Sequence, residues 1–268
     1  MSGSQTPERE LVTVRLQLTI GGERFALDVP VPTGPASPED LLPFLRTLAK
    51  LVTDIGQEYA AGQGRSVSCR AGCGICCRQI VPVPEFEALR LARLVDSMPE
   101  PRRSNIRERF KDATKRLREA GLYDAVDSDH YLDAPPVLDL GPRYFRLMIA
   151  CPFLEDESCS IYEDRPISCR EYLVTSPAEL CAEPDSNELD RVPLAIRPST
   201  ASMMLEVDQA DDGPRQTRWM ALTRALEWAA SHTPREPSAT GLQLLETLMK
   251  SLTGQPPSTA PGMNSSVT

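Results

Sequence analysis

Four cysteines fall within nine residues, Cys69, Cys73, Cys76 and Cys77, in the stretch C-R-A-G-C-G-I-C-C. Thiolates this close can converge on one soft cation or on an iron–sulfur cluster, and Gly72 and Gly74 offer the positive-φ freedom that lets a short backbone wrap it. The other four, Cys151, Cys159, Cys169 and Cys181, form a second block with gaps of seven, nine and eleven residues. These are not the close pairs of a zinc ribbon. Two groups of four instead predict a site closed across the long intervening segment. Adjacent Cys76 and Cys77 point their side chains differently, so the eight ligands suit two tetrathiolate centres, or one cluster and one zinc. Cys73 and Cys76, two residues apart, should grip hardest. Cys181, past Pro177 in a stretch expected to be looped, should contribute less. Arg165 and Arg170 flank Cys169, where they either favour its thiolate or pair with Glu163, Asp164 and Glu171.

The chain that must position these thiols has 268 residues, a formal charge of −9 and a pI near 4.9. That charge disfavours nucleic acid and anionic membrane as partners of the whole surface. Neither a leader-like start nor a run of roughly 18 apolar residues is visible, which predicts a cytoplasmic protein with no membrane segment. In that compartment thiols stay reduced, so the cysteines read as metal ligands or redox groups rather than disulfides.

Residues 1–10 and 254–268 read as disordered flanks of a domain spanning 11–253. From Leu11 to Ile20 apolar and polar residues alternate, Gly21-Gly22 makes a turn, and Phe25, Leu27, Val29 and Val31 alternate again, which predicts a β-hairpin with Pro30 and Pro32 ending its pairing. Ser37-Pro38-Glu39-Asp40 starts a helix whose stripe, Leu41, Leu45, Leu48, Val52, Ile55 and Tyr59, should pack on the hairpin, Pro43 bending or moving its first turn. After Cys77 an apolar run leads to Pro84, which opens a helix bearing Ala88, Leu91, Val95 and Met98. A basic helix follows with Ile106, Phe110, Ala113 and Leu117 on one side and Gly121 past its end. Its many arginines read as a solvated face, because Glu108, Asp112 and Glu119 interrupt them and no aromatics interleave. Strands are expected at Tyr144–Ala150 and Met203–Val207. A helix over 214–231 carries Trp219, Leu222, Leu226 and Ala229, and a last one Leu242, Leu245, Met249 and Leu252. His232 reads as a cation at a helix end, and His130 as a spare ligand. The sum is an α+β, helix-rich domain with a loop-rich metal core.

The second block contains Cys159-Ser160-Ile161-Tyr162-Glu163-Asp164-Arg165-Pro166-Ile167-Ser168-Cys169-Arg170. Together with the Cys-Cys ending of the first block, Cys151 and Cys181, it resembles the cysteine-cluster family of the CxxCxxCC, or YkgJ, type, although the first gap here is three residues rather than two. The resemblance spans Cys69 to Cys181. It implies bound zinc, iron or an iron–sulfur cluster on Cys69, Cys73, Cys76, Cys77, Cys151, Cys159, Cys169 and Cys181, serving electron transfer, metal handling or structural stabilisation. A similar cluster in flagellin lysine N-methylase implies an alternative, a cluster-dependent methyltransferase or oxidoreductase. The spacing of Cys69, Cys73 and Cys76 is also similar to that of radical S-adenosylmethionine enzymes, but those continue in βα units, whereas amphipathic helices follow here. No glycine-rich nucleotide motif supports an enzyme.

Overall fold

The computed structural model describes residues 9–127, 140–183, 189–206, 218–253 and 266–267, and the fold is α+β. Most of the expected N-terminal flank, His130 and most of the expected C-terminal flank lie outside these residues.

β1 (Leu11–Ile20) and β2 (Glu23–Pro32) form the predicted hairpin, paired from Ile20↔Glu23 to Leu11↔Pro32. Pro30 and Pro32 do not end the pairing: they lie opposite Thr13 and Leu11. β2 is the outer strand, so prolines whose missing N–H faces away from β1 cost the ladder nothing. Residues 266–267 add a short third strand against Leu18 and Thr19.

A 3-10 turn, Pro38–Leu41, precedes α1 (Leu42–Gly62), so Pro43 sits in the first turn of a helix that starts one step late. The Asp40 carboxylate accepts the Ser37 N–H at 2.8 Å and ties off the entry. The stripe of α1, with Leu45, Leu48 and Val52 fully buried, packs against Leu18, Ile20, Val29 and Val31 of the hairpin as the spacing predicts. α2 (Glu85–Asp96) and α3 (Arg102–Glu119) bury Leu91, Val95, Ile106 and Phe110 in a second apolar cluster. Gly121, at φ 66, ends α3 as read from sequence.

The later elements differ from the sequence reading. Leu140–Arg146 is a helix, α4, rather than part of a strand; it buries Leu140 and Tyr144 in a third cluster with Leu117 and Val126, and Phe145 is buried as well. Four apolar or aromatic residues in a row look strand-like, but here burial is shared among clusters rather than across a sheet. α5 (Ile167–Arg170) is a single turn, and α6 (Pro198–Ser202) is followed by turns at 203–206 rather than a strand. The long helix expected over 214–231 is shorter. Met220–Ala221 pairs with Pro82–Val83, a 3-10 turn follows, and α7 covers only Ala225–Ser231. α7 packs against α2. α8 (Gly241–Thr253) buries Leu244, Leu245, Leu248 and Leu252, while Leu242 is 47% exposed, so its inner face is rotated from the expected one. Among the described residues no helix is long and apolar enough to cross a membrane.

Candidate metal centre

Between α1 and α2 the first cysteine block forms a tight, irregular turn held mainly by backbone bonds. Ser68 N–H donates to the Val174 carbonyl at 3.0 Å and its hydroxyl to Ser176 O at 2.6 Å, and Val174 N–H in turn donates to Cys69 Sγ at 3.4 Å. Gly72 has φ 82, a conformation that L side chains rarely adopt. Gly74 differs from the sequence reading: its φ is −93, and it is required by close approach instead. A Cβ there would stand 2.5 Å from Glu157 Oε2 and 2.7 Å from Leu154 Cδ1. A 3-10 turn, Ile75–Arg78, then carries Cys76 and Cys77.

The second block folds onto this turn. Cys151 N–H donates to the Cys77 carbonyl at 2.7 Å, joining the blocks through the backbone itself. A two-rung hairpin, Leu154–Glu155 against Ser158–Cys159, covers Gly74, helped by positive φ at Asp156 and Glu157. Arg78 clamps the Glu157 carboxylate with two bonds of 2.6 and 2.9 Å, and Gly72 N–H donates to Ser158 Oγ at 3.1 Å. Cys169 lies on α5, whose first N–H, at Ile167, donates to the buried Glu87 carboxylate at 3.1 Å. Cys181 lies in a 3-10 turn, Ala178–Ala182, packed against the Ile75–Arg78 turn. It is the one fully buried cysteine, which corrects the expectation of a loose, looped position. All eight cysteines are free thiols.

Electrostatics divides the thiols into two sets that meet at Cys76. Burial pushes Cys181 up to about 11, and the neighbouring charges that add to this are Cys69, Cys76 and Cys73. Cys69 is raised by burial, and then by Cys76 and Cys73. In the other set burial raises Cys151 to about 12, with Cys159 and Cys76 adding to it, and raises Cys169 well above the thiol range, with Cys151, Cys159 and Cys76 adding. Cys77 and Cys76 share a hydrogen bond, which lifts Cys77 and lowers Cys76 to about 7. The shared bond thus favours the thiolate on Cys76 and the thiol on Cys77.

Such a donor set suits zinc, iron or an iron–sulfur cluster in its chemistry: soft sulfur ligands, partly desolvated, on short turns. Its spacing is open. Among the described residues no three His, Cys, Asp or Glu side chains stand in an arrangement that would hold one ion.

Of the flanking cations, neither Arg165 nor Arg170 forms an ion pair with Glu163, Asp164 or Glu171. Arg165 lies over the Tyr162 ring, and Arg170 donates to the Arg165 carbonyl at 3.1 Å. Arg165 favours the thiolates of Cys76 and Cys159 and Arg170 that of Cys159, while burial dominates at Cys169. Asp164 instead takes Arg46 and Arg90, and Glu171 takes Ser199. His232 is stacked on Trp228 and bonded to its carbonyl at 2.8 Å, which makes it a helix-end group remote in role from the thiols. Sequence reasoning missed Glu87 and the Val174 N–H. A lone glutamate on an amphipathic helix carries no signal, and a backbone donor carries none at all.

Residues 68–188 match the family model CxxCxxCC, described as a "putative zinc- or iron-chelating domain". No curated protein and no solved structure matches the chain.

Proposed function

We propose, for a chain that carries a CxxCxxCC domain over residues 68–188, that it is a cytoplasmic metal-binding protein whose eight cysteines hold zinc, iron or an iron–sulfur cluster. One observation carries this reading: thiols from four separate stretches of chain gather into a single electrostatically coupled group around Cys76. Four half-buried or buried thiols near one another raise one another's proton affinity, a standing cost that a bound cation relieves. The two sets favour two centres, Cys69, Cys73, Cys76 and Cys181 in one and Cys77, Cys151, Cys159 and Cys169 in the other. A bound metal would supply Lewis acidity or, as iron, one-electron chemistry. The protein's own part is to bring the four segments together and to set arginine charge beside Cys76 and Cys159. A metal held by these cysteines would tie all four segments together, and so would couple metal to fold.

The enzymatic alternative, a methyltransferase or oxidoreductase, has no comparable support. A groove of about 580 Å³ lies between α2, α3 and α7, and none of the cysteines lines it. Elemental analysis and absorption of anaerobically purified protein test the reading, since iron–sulfur sites are coloured and tetrathiolate zinc is not. Bound zinc or iron is the expected result. Protein that arrives metal-free, and takes up neither metal after full reduction, would overturn it.

A further inference from the structure

We propose that the face built on the Cys159–Arg165 loop docks an acidic protein partner at the rim of the thiol centre. The proposal rests on the metal-centre reading and adds to it the surface through which that centre meets another molecule.

Four arginines from four helices attach to this one loop, which carries a fifth, Arg165. Arg102 of α3 donates to the Ser160 carbonyl at 2.9 Å, Arg46 of α1 and Arg90 of α2 reach Asp164 Oδ1 at 3.4 and 2.5 Å, Arg165 covers Tyr162, and Arg170 bonds the Arg165 carbonyl. Carboxylates do not match them. Asp164 is shared by two arginines, Glu87 is buried beneath, the exposed Glu163 of the loop acts on Arg170 without a close ion pair, and Arg102, Arg165 and Arg170 form no ion pair among the described residues, so five arginines face three carboxylates.

The rest of α3 makes the contrast. Arg103, Arg107, Arg109, Lys111, Lys115, Arg116 and Arg118 each pair with an acid. Three of these seven charges are met by acids of α3 itself and four by acids of other segments, and the charge left without an ion pair among the described residues, Arg102, lies at its start, beside the loop. A protein of net charge −9 therefore concentrates unpaired cations around the thiols. In the middle of them Tyr162 is 57% exposed, an aromatic anchor of the kind that interface centres use. On the inner side of the same loop Cys159 packs against the second apolar cluster, so a partner seated on Tyr162 lies one residue layer from the centre.

The complement of such a face is a discrete acidic patch. A long polyanion such as nucleic acid would overrun it onto the acidic remainder of the surface, and the single tyrosine already has a guanidinium over its ring.

The test titrates metal-replete protein with a fluorescently labelled octaglutamate peptide at low salt, reading anisotropy, with metal content measured on the same samples. Saturable binding is expected, weakened about tenfold in the Arg165→Gln/Arg170→Gln variant, weakened less in Arg102→Gln and unchanged in Lys50→Gln, an exposed position of α1. Should the double variant fail to fold, Arg102→Glu and Tyr162→Ser at exposed positions carry the test, each expected to weaken binding. The proposal is overturned by absence of saturable binding, by equal loss in Lys50→Gln, or by a single-stranded oligonucleotide of equal charge competing better than the peptide. Full metal content without peptide binding refutes the docking face and spares the centre. Peptide binding by a chain that takes up no metal refutes the centre.

Discussion

Replacing Gly74 by alanine should damage the thiol centre through a collision that the sequence alone does not announce. The added Cβ would sit 2.5 Å from Glu157 Oε2, 2.7 Å from Leu154 Cδ1 and 3.2 Å from Glu157 Cα. The first two are side-chain tips that can turn away, but Glu157 is clamped by Arg78, and turning it sacrifices that ion pair. The third is backbone, so the hairpin bearing Cys159 must move by a few tenths of an ångström. Overpacking of this kind costs roughly 1–3 kcal/mol. In a chain of this size each kcal/mol lowers the melting temperature by about 2–4 °C, so Gly74→Ala should melt about 2–12 °C low. Gly72→Ala is the matched control. Its φ of 82 costs a side chain roughly 1–2 kcal/mol, but no atom lies within 4 Å of the new Cβ. Thermal melts with the metal-to-protein ratio separate the two: Gly74→Ala should lose both stability and metal, Gly72→Ala only stability. A Gly74→Ala protein with wild-type melting and full metal would refute the close-approach argument, as would a larger metal loss in Gly72→Ala.

Chelation should lower the melting temperature of the reduced protein markedly, because the metal joins segments that otherwise meet through few bonds; an unchanged melt would remove its structural role. Cys181→Ser should cost as much bound metal as Cys73→Ser or Cys76→Ser, since Cys181 is buried against their turn, and elemental analysis showing only slight loss would place it outside the ligand set. Glu87 is 4% exposed and its carboxyl is raised by burial to about 7, above the roughly 4.5 of the unfolded chain. The folded state then binds the extra proton, so the contribution is full below about pH 4.5 and is lost as pH rises towards 7, on the order of 3 kcal/mol in all. Denaturant melts of apo-protein should show Glu87→Gln flattening the fall in stability over that window, and parallel wild-type and variant curves would show that Glu87 does not titrate there.

The hairpin, α1, α2 and α3 were legible because each has one period over ten or more residues and a marked start or stop: Gly21-Gly22, Ser37-Pro38, Pro84, Gly121. The stretch from 140 to 206 was not. Its helices are one or two turns long, too short for a helical period to show, and Tyr144 is buried by cluster packing that no local pattern reports. At the centre, spacing and the family resemblance singled out the cysteines, whose ligand role is a proposal. Their surroundings were hidden for different reasons. Gly74 was chosen by what touches it from another segment, and α5 is held at its first N–H by Glu87, eighty residues away. Cys181 looked loose because proline and a long gap precede it, yet its turn is packed against the first block.

The prolines of β2 set a limit on how this protein can associate. Pro30 and Pro32 are two residues apart, so their nitrogens lie on the same side of the strand, the side away from β1. A further strand arriving at that edge would find no donor at two consecutive places where a ladder needs one. Val29 and Val31 between them point inward and are buried. The hairpin therefore ends its sheet chemically, and another chain cannot continue it by strand addition along this stretch.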